Sequence, residues 1–129
     1  MQAQFKKIQV VTGHGQTEIM IVHLIGQIEA DSVDLFRQAC RGPLGGRPVI
    51  FNMTKLSIVG SNGLRAFLES LNDLTKVKGS DVRFCEVRND LRHILEATPL
   101  GRRPMMATEE DAIQSYRITQ GFADLSPEG

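Results

Sequence analysis

The stretch "SIVGSNGL" (57–64) sets one serine, Ser61, beside glycine and asparagine just ahead of the apolar-periodic run "LRAFLESLNDL". A serine at the start of a helix sits where unpaired backbone N–H groups and the helix dipole both favour negative charge. A phosphoryl group there adds about −1.5 to −2 charge, which the helix end tolerates and a docked partner surface does not. The ordinary alternative is that Ser61 or Asn62 is only an N-cap, worth roughly 0.5–2 kcal/mol. On the residues alone, the plain cap is the favoured reading, because serine is a common cap and few caps are modified.

Other chemistry finds little footing. A nucleophile elbow needs G-x-S-x-G, and Gly60-Ser61-Asn62-Gly63 lacks that spacing and a nearby base. A P-loop needs G-x-x-x-x-G-K-[ST]; "GPLGGR" (42–47) has glycines without the Lys-Ser/Thr and follows a helix pattern, not a strand. No pair of carboxylates stands out as an acid–base couple. His14, His23 and His93 read as lying in a turn, a strand and a helix, and no HExxH or comparable spacing joins them. Cys40 and Cys85 fit no CxxC pattern and read as reduced structural thiols. The chain is therefore expected to be no enzyme and to need neither cofactor nor metal.

The elements that position the serine follow from periodicity. "FKKIQVVT" (5–12) and "TEIMIVHLIG" (17–26) read as two strands joined by the turn glycines of "GHGQ" (13–16). "ADSVDLFRQAC" (30–40) reads as a helix capped by Asp31 or Ser32, with Val33, Phe36, Ala39 and Cys40 on one face. "VIFNMT" (49–54) is a short apolar strand. A helix beginning near Asn62 follows, its apolar face Leu64, Phe67, Leu68, Leu71, Leu74 and Val77. "DVRFCEV" (81–87) is a strand, and Asn89 caps a helix with Leu91, Ile94 and Leu95 inward. "PMMAT" (104–108) offers a last short strand. Thr108 before Glu109-Glu110-Asp111 is a helix start that suits the dipole, with Ala112, Ile113 and Tyr116 continuing it. The order ββαβαβαβα predicts an α/β fold: a mixed sheet opened by a hairpin, with helices mainly on one face. One domain over residues 1–118 and a mobile tail over 119–129 are expected.

Composition agrees. Lys+Arg and Asp+Glu both number 15, so no long-range field marks a nucleic-acid binder. No apolar run approaches the ~20 residues of a membrane span. The opening "MQAQFKKIQVV" has no apolar signal region, so a cytoplasmic location is expected.

Three segments resemble the STAS domain family of bacterial anti-sigma factor antagonists, over roughly residues 5–118. "LIGQIEADSVDLF" (24–36) is similar to the family's L-x-G-x-[IL]-[DE] strand end leading into its first helix. "VIFNMTKLSIVGSNGL" (49–64) resembles V-[IV]-[LF]-D-[LM]-[ST]-x-[LV]-x-x-[IM]-D-S-[ST]-G-[LI] and is the most specific of the three. "DVRFCEVRNDLRHILEATPL" (81–100) resembles the later strand and the helix after it. The resemblance implies the STAS fold and a transcription-regulating partner switch. Dephosphorylated antagonist binds an anti-sigma factor that is also a serine kinase, and phosphorylation releases it. Carried over, the acceptor is Ser61, with Gly63 and Leu64 matching the helix start. Three positions depart: Gly60 stands for the usual acid, Asn62 for the second hydroxyl residue, and Asn52 for the aspartate of the preceding strand. The departures remove two carboxylates and their hydrogen-bond acceptors from around the loop.

The expected contact surface is Ser57, Ile58, Val59, Gly60 and Asn62 with the exposed flank of the next helix, Arg65 and Glu69. Helical spacing brings Asn62, Arg65 and Glu69 together. Ile58 and Val59 read either as plugs of the sheet end or as a small apolar patch. Arg65 and Glu69 read equally as a solvated pair. A competing reading is a STAS module without the switch, a scaffold or a subunit of a lipid transport complex. Small-ligand binding at the carboxyl ends of the strands ranks last, because no phosphate cradle is visible.

Overall fold

The computed structural model describes residues 1–12, 15–58 and 62–125. In chain order the elements are β1 (Gln2–Thr12), β2 (Gly15–Gln27), α1 (Ala30–Arg41), β3 (Pro48–Ser57), α2 (Leu64–Lys76), β4 (Asp81–Cys85), α3 (Asn89–Glu96), a 3-10 turn (Pro99–Arg102), β5 (Met105–Met106) and α4 (Glu109–Leu125). The expected order ββαβαβαβα holds, with the 3-10 turn added where Pro99 cannot continue α3.

The five strands lie side by side in chain order. β1 and β2 are antiparallel, and the other three pairings are parallel. Each crossover steps the same way along the sheet, so α1, α2 and α3 fall on one face. There Phe36, Phe67 and Leu91 pack with Met20, Val22, Phe51, Val82 and Phe84. α4 covers the other face, where Ala112 and Tyr116 meet Val10, Ile19, Ile21, Ile50 and Cys85. β2 and β3 are sandwiched between the layers, which is why their sequences read as near-continuous apolar runs.

Tyr116 anchors the thinner layer. Its hydroxyl lies 2.6 Å from the Asp81 carbonyl oxygen and 3.2 Å from that of Val49. The Arg83 guanidinium stacks 3.9 Å from the Tyr116 ring centroid. Arg83 donates to both Asp81 carboxylate oxygens, at 3.1 and 3.0 Å, and to Ser115 Oγ at 2.7 Å. A buried arginine is tolerated here because its donors are met by a fork-shaped carboxylate and a hydroxyl.

Several local expectations are corrected. Neither Asp31 nor Ser32 caps α1: Glu29 holds the N-cap position with no side-chain bond, and both residues lie inside the helix. Ser32 Oγ instead donates back to the Glu29 carbonyl at 3.1 Å and accepts from the Met1 amino group at 3.2 Å. Asn89 is the first residue of α3 and not its cap. α2 begins at Leu64 with Gly63 as N-cap, so Asn62 is not the cap either. β3 runs to Ser57, three residues past the expected end. Thr108 does cap α4, accepting from the Asp111 N–H at 3.0 Å. α4 continues as helix to Leu125, beyond the boundary expected at 118, and the last part of the expected tail, 126–129, lies outside the described residues.

Candidate partner-binding site

Of the residues expected at the contact surface, Val59, Gly60 and the acceptor Ser61 lie outside the described residues. Their frame is described on both sides. Ser57 is the last residue of β3: its carbonyl accepts from the Ile28 N–H at 3.1 Å, and its hydroxyl donates to the Gly26 carbonyl at 3.3 Å. These bonds tie the end of β3 to the end of β2. Ile58 is half-buried and packs on the core, which favours its reading as a plug of the sheet end.

Gly63 has φ 77°. A Cβ there would lie 2.8 Å from both Ala30 N and Glu29 C. Only glycine therefore lets α2 start in the left-handed region while touching the turn between β2 and α1. The contact brings the two ends together: Asn62 lines a cleft of about 370 Å³ with Gln27, Glu29 and Asp31. Two acids, from α1 and its cap, thus line the same cleft as Asn62. The motif position of Glu29 was legible in the sequence; its approach to Gly63 was not, because the two are 34 positions apart.

The N-cap of α2 is Gly63, which has no side chain to cap with, and the first turn holds no acidic residue. Arg65 and Glu69 are both exposed, as expected of a free flank, and no ion pair joins them among the described residues.

A second group lies at the carboxyl ends of the central strands. Asn52 is buried and fully bonded: its Nδ2 donates to Glu86 Oε2 at 2.9 Å and to Glu109 Oε1 at 3.0 Å. Its Oδ1 accepts from the Thr54 N–H at 3.0 Å and stands 2.7 Å from Thr54 Oγ1. Thr54 Oγ1 is also 2.7 Å from Glu86 Oε1, and its single proton serves one acceptor at a time. Glu86 Oε2 further accepts from the Glu109 N–H at 3.3 Å, at the start of α4. His23 Nε2 lies 2.7 Å from Glu109 Oε1.

This network gives a reason for the asparagine. Between two carboxylates the position needs two donors, and an aspartate has none when ionised. The bond from Thr54 N–H to Asn52 Oδ1 also folds the chain across an irregularity in β3, where the pairing steps from His23–Asn52 to Ile25–Lys55. One extra residue in β3 returns Leu56 to the core face that Met53 occupies. Glu86 is the one non-glycine residue with positive φ among the described residues, at 55°, and its three hydrogen-bonded neighbours hold it there. The cleft over this cluster, about 330 Å³, includes Lys55. Sequence reasoning found no carboxylate pair because Glu86 and Glu109 are 23 residues apart and meet only through the sheet.

Burial pushes the Cys40 thiol up to about 12, with Asp73 adding to it. Cys85 rises to about 12 through burial and then the charges of Glu109 and Glu86. Among the described residues no group of three or more His, Cys, Asp or Glu could hold a metal ion, and no helix is long and apolar enough to cross a membrane.

Comparison with known proteins converges on one family. The family model for the STAS domain matches residues 10–112. The structure is similar to the phosphorylated form of the Bacillus cell fate determinant SpoIIAA, with TM-score 0.60 and 24% identity over 88% of this chain and 100% of that one. It is similar to the unphosphorylated anti-sigma factor antagonist SpoIIAA at TM-score 0.62 and 23% identity, over 90% and 96% of the two chains. An anti-sigma factor antagonist from Mycobacterium paratuberculosis matches at TM-score 0.56 and 18% identity, over 88% and 93%. No curated protein sequence gives a significant match. At these identities the neighbours establish the fold, and the family-model match, spanning most of the elements from β1 to the start of α4, establishes that this chain belongs to the STAS domain family.

Proposed function

We propose that this chain is a regulatory protein-interaction module that binds an anti-sigma factor with serine-kinase activity and is switched by phosphorylation of Ser61. The observation that carries this reading is the start of α2. Its first turn has a glycine N-cap and no acid of its own, carries the exposed Arg65, and follows Ser61 closely in sequence. Such an end accepts an added phosphoryl group, while the new charge repels a partner docked on Ser57, Ile58, Val59, Gly60, Asn62, Arg65 and Glu69. The solved neighbours include SpoIIAA in phosphorylated and unphosphorylated forms, which supports the reading by analogy. In this role the chain is cytoplasmic, catalyses nothing itself, and touches no nucleic acid.

The test is intact mass of the protein from its own cells with peptide mapping of residues 56–77. A phosphate on Ser61 is expected. A fully covered, unmodified peptide under both growth and stress sinks the switch.

One observation favours a second reading, a STAS module without the switch acting as a scaffold or transport-complex subunit. Asn52, where the family pattern has aspartate, is wholly engaged in holding Glu86 and Glu109, so this position serves the fold. Under that reading, partner binding is indifferent to both Ser61→Ala and Ser61→Asp.

A further inference from the structure

Among the described residues β1 is the outer strand of the sheet and pairs only with β2, which leaves one side of its backbone ladder open. Beside it runs an apolar groove of about 440 Å³, lined by Ala3, Phe5, Leu35, Phe36 and Ala39 among others. Phe5 is 50% exposed and Leu35 71%, which is unusual for two large apolar side chains facing one groove. The register explains the groove. Ala3, Phe5 and Lys7 stand opposite Leu24, Val22 and Met20, which face α1, so these β1 side chains extend that face past the helix that covers it.

We infer that this edge is the interface of a symmetric dimer, with β1 of one protomer pairing antiparallel to β1 of its partner. A two-fold axis perpendicular to the sheet keeps the α1 side of both protomers on the same side, so only registers that oppose odd residues to odd residues match faces. Centring on Lys6 or Lys7 sets like charges directly opposite one another. Centring on Gln4 shortens the ladder, and centring on Ile8 sets Phe5 opposite Val11 and leaves the two grooves apart. Centring on Phe5 places Phe5 against Phe5, Lys6 against Gln4, Lys7 against Ala3 and Ile8 against Gln2, and closes both grooves.

Charge complementarity favours a second copy over an unrelated strand. The Met1 amino group bonds Ser32 Oγ at 3.2 Å, which fixes the start of α1 beside the start of β1. In the Phe5-centred register, Lys7 of one protomer stands opposite Ala3 of the other, which shares its groove with Leu35, so the long lysine side chain is directed to the start of α1, where Asp31 lies one helical turn before Leu35. Among the described residues neither Lys7 nor Asp31 has an ion-pair partner. With a formal net charge of zero, two copies also approach without long-range repulsion.

The test is sedimentation equilibrium of the full chain from about 10 µM to about 1 mM. Weight-average mass is expected to rise from 14.3 kDa toward twice that value. Leu35→Glu, at an exposed position, is expected to weaken association at least ~10-fold while leaving the circular dichroism unchanged. Lys7→Glu and Asp31→Lys are each expected to weaken it about 2–5-fold, and the double variant to restore it. A mass of 14.3 kDa across the whole range overturns the inference and leaves the edge to a strand from another protein. So does a dimer indifferent to Leu35→Glu, or a charge swap that fails to restore it.

Discussion

The substitution Asn52→Asp puts back the residue type that the family pattern carries at this position, and it is expected to destabilise the protein. Asn52 donates two hydrogen bonds to carboxylates, at 2.9 and 3.0 Å, in a site where it is 6% exposed. Bonds to charged groups contribute roughly 1.5–3 kcal/mol each, so losing both costs about 3 kcal/mol or more. An ionised carboxylate at position 52 also faces Glu86 and Glu109 at hydrogen-bond range, and like charges there favour its protonated form. The pKa of the introduced carboxyl is therefore raised in the folded state above its unfolded value. The native variant binds more protons than the unfolded chain, so its stability falls as pH rises through the folded pKa. The deficit against the unsubstituted protein is smallest in acid and largest near pH 8. Urea unfolding at a series of pH values measures it directly, with the midpoint at pH 8 expected roughly 1 M or more lower. A deficit below about 1 kcal/mol, or one that does not change with pH, refutes the account of Asn52 as a double donor between two carboxylates.

Other perturbations have defined outcomes. Gly63→Ala places a Cβ 2.8 Å from backbone atoms of Glu29 and Ala30 at φ 77°, and is expected to cost about 3 kcal/mol in urea unfolding. An effect below about 1 kcal/mol would show that the start of α2 is free to shift away from α1. Tyr116→Phe keeps the ring under Arg83 but removes the bond of 2.6 Å to the Asp81 carbonyl, with an expected loss of about 1–2 kcal/mol. A neutral result would mean that water replaces the hydroxyl there. Cys40 and Cys85, both buried and pushed to about 12, are expected to resist a thiol reagent at pH 8 until the protein is unfolded. Rapid labelling of either one in the native protein would contradict the packing of its layer.

The order of elements was readable because each segment carries its own period. Phe67, Leu71 and Leu74 recur at helical spacing and are buried, and the apolar runs of β2 and β3 announce strands covered on both sides. Helix starts were read less well. Asp31, Asn62 and Asn89 all have the chemistry of caps, yet each helix starts elsewhere because neighbouring elements set the entry of the chain. Gly63 shows the reason: its approach to Ala30 places the start of α2 whatever side chain stands at 62. The network around Asn52 was invisible for a related reason. No local pattern links residues 23, 52, 86 and 109, and the departure from aspartate looked like a loss when it is an exchange of acceptor for donor.

Periodicity and turn chemistry are local, encoded within a dozen residues. They determined the sequence of strands and helices, the apolar faces, the cap at Thr108 and the serine ahead of α2. Which polar groups share a site depends on how a parallel sheet aligns distant strand ends, and that is set by packing over the whole chain. Tertiary structure alone therefore decided that Glu29 and Asp31 flank Asn62, that Asn52 bridges Glu86 and Glu109, and that Phe5 and Leu35 border an open edge. Side-chain burial leaves a period in the sequence; a meeting of charges across the sheet leaves none.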